Sequence, residues 1–207
     1  MQEILIRRNR FLKTDTAAFY SANFYGYGQA NNPNCLNTLK NDNHHKWATW
    51  QLDAAKKQVM QFLAHDLFEI VRSHESSRLT ICVVPRAKKE CTYRPNQLLF
   101  KSAVCETIRQ LHSVEDGTGY IRRHTDTKTT HLRNPMPDYV NAGSLPYPGI
   151  TRQTCHIASE VKWADILLID DIYTPTINID EDAIQALMDA GANSVTFYAV
   201  AKTVGRY

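Results

Sequence analysis

From Leu52 to Val71, apolar residues fall at positions 52, 55, 59, 62, 63, 67, 70 and 71, with Lys56, Lys57 and Asp66 between them. A return every three or four residues predicts one long amphipathic helix. LTICVVP, residues 79–85, is a β-rich run halted by Pro85 and predicts a strand. The stretch PNQLLFKSAVCETIRQL, beginning at Pro95, predicts a helix capped by Asn96 with Leu99, Ala103, Val104, Ile108 and Leu111 facing inward. Further along, Ile166 to Ile169 predicts a strand, Asp180 to Ala190 a helix closed by Gly191, and Ser194 to Val200 another strand. Two stretches break the rhythm. Ala17 to Trp50, with FYSANFYGYGQANNPNCLN inside it, is rich in Asn, Tyr and Gly and predicts loop with short strands or turns. Residues 113–163 carry Gly and Pro, few aliphatics and no sustained period, which predicts an irregular insert. Strands alternating with helices imply an α/β fold, a central parallel sheet with helices on both faces.

Composition narrows the class. A chain of 207 residues with 43% hydrophobic content can fill one well-packed core. Residues 51–207 are expected to form that domain, with 1–50 as an N-terminal segment packing on it. A net charge of +3 does not mark a highly basic nucleic-acid binder, so anion binding should be local. Five cysteines, at 35, 82, 91, 105 and 155, contain no CxxC pair and are odd in number. They fit reduced, packed thiols better than a zinc knuckle or a disulfide framework. MQEILIRRNRFL has charges inside its apolar patch, and nowhere do 18 apolar residues run uninterrupted. A cytoplasmic protein without a membrane partner is therefore expected.

The candidate chemistry sits in ADILLIDDIYTPTINIDEDAIQALMDAGANSVTFYAV, residues 164–200. Asp170 and Asp171 follow a run of aliphatics, and the loop from Tyr173 to Asn178 leads to a helix N-terminus. In an open parallel sheet, ligands bind beyond the carboxyl ends of the strands. Paired carboxylates there can accept hydrogen bonds from vicinal hydroxyls or hold a hydrated Mg²⁺, while the helix N-terminus favours a phosphate. A sugar phosphate satisfies both halves. GYG at 26–28 lacks the spacing of a phosphate loop and is read as part of a covering loop.

The aliphatic run, the DD pair, the Thr-containing loop, the AGA helix end and SVTFYAVAKT together resemble the phosphoribosyl-diphosphate (PRPP) signature of type I phosphoribosyltransferases (PRTases). CVVPRAKKECTYRPNQLL, residues 82–99, and YIRRHTDTKTTHLRNP, residues 120–135, resemble segments of the ComF-like, amidophosphoribosyltransferase-like branch. The resemblance implies a PRTase-type sheet with a hood insert over 113–163 and transfer of phosphoribose to a nitrogenous acceptor with release of pyrophosphate. It implies that Asp170 and Asp171 hold the ribose diol and, through water, Mg²⁺. Tyr173, Thr174, Pro175, Thr176, Ile177 and Asn178 would line the 5′-phosphate loop, and Arg86, Ala87 and Lys88 the pyrophosphate loop. Arg122 and Arg123, with Lys128 and Arg133, would belong to the hood. The implied partners are PRPP or a nucleotide-like molecule, a second copy in a homodimer, and a partner protein in DNA processing or defence. The alternative is a module that senses PRPP or a nucleotide without turnover in DNA uptake, DNA processing or phage defence. Departures bear on turnover. The family loop carries Thr-Gly-x-Thr where this chain has Thr174-Pro175-Thr176-Ile177-Asn178, so Pro175 removes one N–H from the cradle. Asp180, Glu181 and Asp182 in the first helical turn are expected to repel an incoming dianion.

Overall fold

The computed structural model describes residues 1–42, 46–74, 78–112, 114–129, 141, 143, 150, 153–175 and 177–205. In chain order these form β1 (Gln2–Ile6), β2 (Thr16–Phe24), α1 (Asn34–Lys40), α2 (Thr49–Ser73), β3 (Leu79–Val83), α3 (Leu99–Ile108), β4 (Val114–Asp116), β5 (Ile121–Arg123), β6 (Cys155–Ile157), β7 (Asp165–Tyr173), α4 (Ile179–Asp189) and β8 (Ser194–Thr203). Short 3₁₀ turns occupy Glu90–Thr92, Pro95–Gln97 and Ser159–Val161.

The central sheet runs β1-β2-β8-β7-β3-β4. Only β1 is antiparallel to its neighbour, and the pairs β2·β8, β8·β7, β7·β3 and β3·β4 are parallel. LTICV of β3 is buried at every position, and β7 is buried from Ile166 to Ile169. Continuous apolar runs of this kind are what a sheet covered on both faces requires. On one face α1, α2 and α3 pack Leu36, Val59, Leu63, Leu67 and Val104 against Ile81, Leu167, Ile169 and Tyr198. On the other, α4 brings Ala183, Ile184 and Leu187 onto Ile166, Leu168 and Phe197, joined by Ile121, Ile150 and Val161. The α/β class with helices on both faces is thus realised. Among the described residues no helix is long and apolar enough to cross a membrane.

Four local expectations change. The stretch 17–50 carries β2, nine residues in register with β8, and then α1, so the N-terminal segment is part of the sheet itself. TAAFYSANF mixes small, polar and aromatic residues and so hides the strand from a search for β-branched runs. The helix after Pro95 is not capped by Asn96. Pro95–Gln97 make a separate 3₁₀ turn, and α3 begins at Leu99 without a side-chain cap. Within 113–163, β4 adds to the central sheet beside β3, and β5 pairs with β6 as a separate two-stranded ribbon. Finally, β7 continues to Tyr173, which takes Asp170 and Asp171 into the strand.

The cysteines are free, with Cys35, Cys82 and Cys155 buried and Cys91 exposed. Burial pushes the Cys82 thiol up to about 12, so it packs as an inert hydrophobe.

Candidate functional site

The site arises from unequal strand lengths. β3 ends at Val83, opposite Ile169, while β8 keeps pairing with β7 through Asp170, Ile172 and Tyr173. Beyond Ile169, β7 is therefore flanked by β8 on one side and by the loop leaving β3 on the other, where Val84 N–H still reaches the Ile169 carbonyl at 2.9 Å. Asp170 and Asp171 occupy this ledge. Alternation of side chains sends them to opposite faces of the sheet.

Asp171 meets the helical layer of α1. Its Oδ2 receives a hydrogen bond from Lys40 Nζ at 2.8 Å, with both side chains largely buried. Burial works against the Lys40 ammonium, but the carboxylates of Asp171 and Asp170 outweigh it and raise its pKa. Asp170 meets α4. Burial, then the charge of Asp171, pushes its carboxyl up to about 7, while a hydrogen bond with Asp180 favours its ionised form. Asp180 is only 3% exposed, and burial followed by the charge of Asp170 raises its pKa well above the usual range. The stable arrangement has Asp180 protonated and donating to Asp170, one proton serving two carboxyls. Its Oδ1 has no hydrogen-bond partner among the described residues.

The acids of the α4 first turn do not act as a repelling row. Asp180 points inward to Asp170. Glu181 is 2% exposed, accepts from the Tyr173 hydroxyl at 3.0 Å, and has its pKa raised by burial. Asp182 Oδ2 accepts from Ile150 N–H at 2.7 Å and ties the end of the insert to the helix. Two of the three are buried and shifted toward their neutral forms, which removes much of the charge expected to face an anion.

The phosphate-loop candidates divide in the same way. Tyr173 is a core residue, edge-on to Phe197 with ring centroids 5.6 Å apart. Thr174 Oγ1 lies 2.7 Å from Thr203 Oγ1, and its carbonyl accepts from Ile177 N–H at 2.9 Å, closing a turn over Pro175. Asn178 adopts a left-handed conformation, φ 58°, and its Oδ1 accepts from Asn9 Nδ2 at 2.9 Å. Asn tolerates that region better than most residues. Thr176 lies outside the described residues, as does Arg133.

Arg86 is brought to the same ledge, but its guanidinium is engaged internally. It donates to the Gln97 carbonyl, to the Lys40 carbonyl and Asp42 Oδ1 at 2.6 Å each, and stacks over Tyr93 at 4.5 Å. Ala87 offers its carbonyl to Thr127 N–H at 2.8 Å, and Lys88 Nζ donates to the Thr127 carbonyl at 2.7 Å. Arg123 is buried, with its Nε donating to the Arg86 carbonyl at 2.6 Å, so the start of the insert is fastened to the strand-end loop. Arg122 alternates to the exposed side of β5, and its Nε donates to the Gly119 carbonyl at 2.8 Å. Lys128 is exposed.

Sequence reasoning missed Lys40 and Asp42. Both lie in the Asn-rich stretch without periodicity, and nothing local announces that Lys40 is the counter-ion of an aspartate 131 residues away. Among the described residues no group of three or more His, Cys, Asp or Glu side chains is arranged to hold a metal ion. Asp170 and Asp171 leave the strand on opposite faces and are engaged by Asp180 and Lys40, so they form no all-protein cage for a metal ion. No protein-family model matches the chain, and no curated protein matches it significantly.

Proposed function

We propose that this chain is a PRTase-like protein that binds PRPP or a related sugar phosphate or nucleotide at the ledge formed by the end of β7. The observation that carries the proposal is the position of Asp170 and Asp171, where β7 outruns β3 and turns through Thr174–Asn178 into α4. Carboxylates on such a ledge accept hydrogen bonds from a ribose diol, and the N-terminal turn of α4 offers its dipole to the 5′-phosphate. Mg²⁺ held by Asp170 and Asp171 through water would neutralise the diphosphate. Asp170, whose ionised form is disfavoured by burial and by Asp171, gains from any cation beside it. In the active form, phosphoribose passes to a nitrogenous acceptor and pyrophosphate leaves.

A sensing module without turnover, within DNA uptake, DNA processing or defence, is the second possibility. It is favoured by the internal engagement of the Arg86 guanidinium, which leaves the leaving group one cation fewer, and by Pro175. Calorimetry with PRPP and Mg²⁺, beside a pyrophosphate-release assay over a panel of bases, separates the two. Wild type is expected to bind PRPP, and Asp170→Asn with Asp171→Asn to weaken binding by at least about tenfold, since charge-assisted hydrogen bonds are lost together. Wild-type affinity in a folded double variant would end the proposal. Binding without pyrophosphate release for any base would select the sensor.

A further inference from the structure

A second concave feature lies on the α2 side of the sheet, a cavity of about 700 Å³ between β2, α1 and α2. Asp66 lines it. This carboxylate is 3% exposed and belongs to neither the β7 ledge nor any site assigned above. Its Oδ2 accepts hydrogen bonds from the Ser21 hydroxyl and from the Tyr198 hydroxyl at 2.8 Å, and the two hydroxyls are 3.0 Å apart. Burial, then the Asp66 charge, pushes the Tyr198 phenol upward, so it stays a donor. Oδ1 faces His65 Nδ1 at 2.8 Å, but the His65 side chain is 76% exposed, and solvent screens it. Among the described residues no Lys or Arg pairs with Asp66.

Asp66 is thus buried among hydrogen-bond donors with no Lys or Arg beside it among the described residues, so a cation entering the cavity would meet a carboxylate that no fixed lysine or arginine neutralises. Beside the carboxylate, Gln58 and Gln61 on the exposed face of α2 line the cavity, and their amides make no hydrogen bond to the described residues. Phe62 adds an aromatic wall. A buried negative group, an aromatic surface and uncommitted amides at the mouth match a small positively charged organic molecule with a flat body.

We propose that this cavity binds a small organic cation of the ammonium or amidinium class, held on Asp66 with its body against Phe62 and its rim contacts from Gln58 and Gln61. This site does not depend on the PRPP proposal. α1 separates them, with Asn34 and Cys35 at the cavity and Lys40 on Asp171.

Benzamidine and its neutral near-isostere benzamide test the proposal by calorimetry on the full chain. Benzamidine is expected to bind at least tenfold more tightly than benzamide, and Asp66→Asn to abolish the difference. Gln61→Lys, an exposed change that sets a cation at the mouth, is expected to weaken benzamidine severalfold while leaving the melting temperature unchanged. That variant decides the matter if Asp66→Asn does not fold. Asp171→Asn is expected to leave benzamidine affinity as in wild type. Equal affinity for the two compounds, no binding of benzamidine, or undiminished binding in Gln61→Lys would overturn the proposal and leave Asp66 as a structural tie between β2, β8 and α2.

Discussion

Asp170 and Asp180 face each other across the sheet-to-α4 contact, and their stability consequence has a definite sign. Both carboxyls have folded-state pKa values raised above the unfolded value of about 3.9. The stabilisation from these two raised pKa values is therefore fully present below about pH 4; the part carried by Asp170 is lost as pH rises through about 7, and the part carried by the proton on Asp180, held well above the usual carboxyl range, only above that. In metal-free buffer the unfolding free energy is expected to fall between those limits. Asp180→Asn supplies a donor that needs no proton, so it is expected to flatten this dependence and to raise stability at pH 8 by about 1 kcal/mol or more. Chemical denaturation at pH 5 and pH 8 measures both. A steeper fall in the variant would refute the proton-sharing assignment. Arg86 gives a second test at this scale. Its guanidinium ties Asp42 and two carbonyls from separate segments, so Arg86→Ala is expected to cost about 2–4 kcal/mol in denaturant unfolding, well beyond a surface substitution. A loss below about 0.5 kcal/mol would mean those contacts are not maintained in solution.

At the level of elements, the parts with a clean period were legible in the sequence. The helix read from 52 to 71 is found at Thr49–Ser73, the strand from 79 at Leu79–Val83, and the helix from 180 at Ile179–Asp189. Where partners far away decide the outcome, local pattern was silent. TAAFYSANF becomes a strand because β8 offers a parallel edge, and Asp170 and Asp171 are strand rather than loop because β8 outlasts β3. The candidate site was half legible for the same reason: the paired acids announce themselves, while Lys40 and Asp42 acquire meaning only through tertiary contact. The loop after β7 remains the element to engineer. Pro175 lacks an N–H, and losing a donor to a charged group costs on the order of 1.5–3 kcal/mol. Pro175→Thr combined with Thr176→Gly is expected to tighten PRPP binding roughly tenfold or more in calorimetry. No gain would mean that this turn does not contact the phosphate.

For the molecule as a whole, the boundary expected at residue 50 does not divide the sheet from an accessory. A chain beginning at residue 51 would lose β1, β2 and α1, bare the edge of β8 and remove the Lys40 and Asp42 partners of the ledge. Such a fragment is expected to lack a cooperative thermal transition and to aggregate through the exposed β8 edge. A soluble fragment melting cooperatively near the full-length temperature would restore the boundary.

The pairing of β2 with β8 also sets a clock on the newborn chain. Ala18 leaves the ribosome long before Phe197, its neighbour in the sheet, has been made. At about 5–20 residues per second, that gap is roughly ten to thirty-five seconds. Throughout it the N-terminal hairpin has one side without its eventual partner, while β3 and β4 can align early and β7, ending at Tyr173, is made only shortly before β8. Insertion of β7 and β8 then joins the N-terminal hairpin to β3 and β4 in a late step, and an early strand left waiting is the point at which a chaperone would have most to shield.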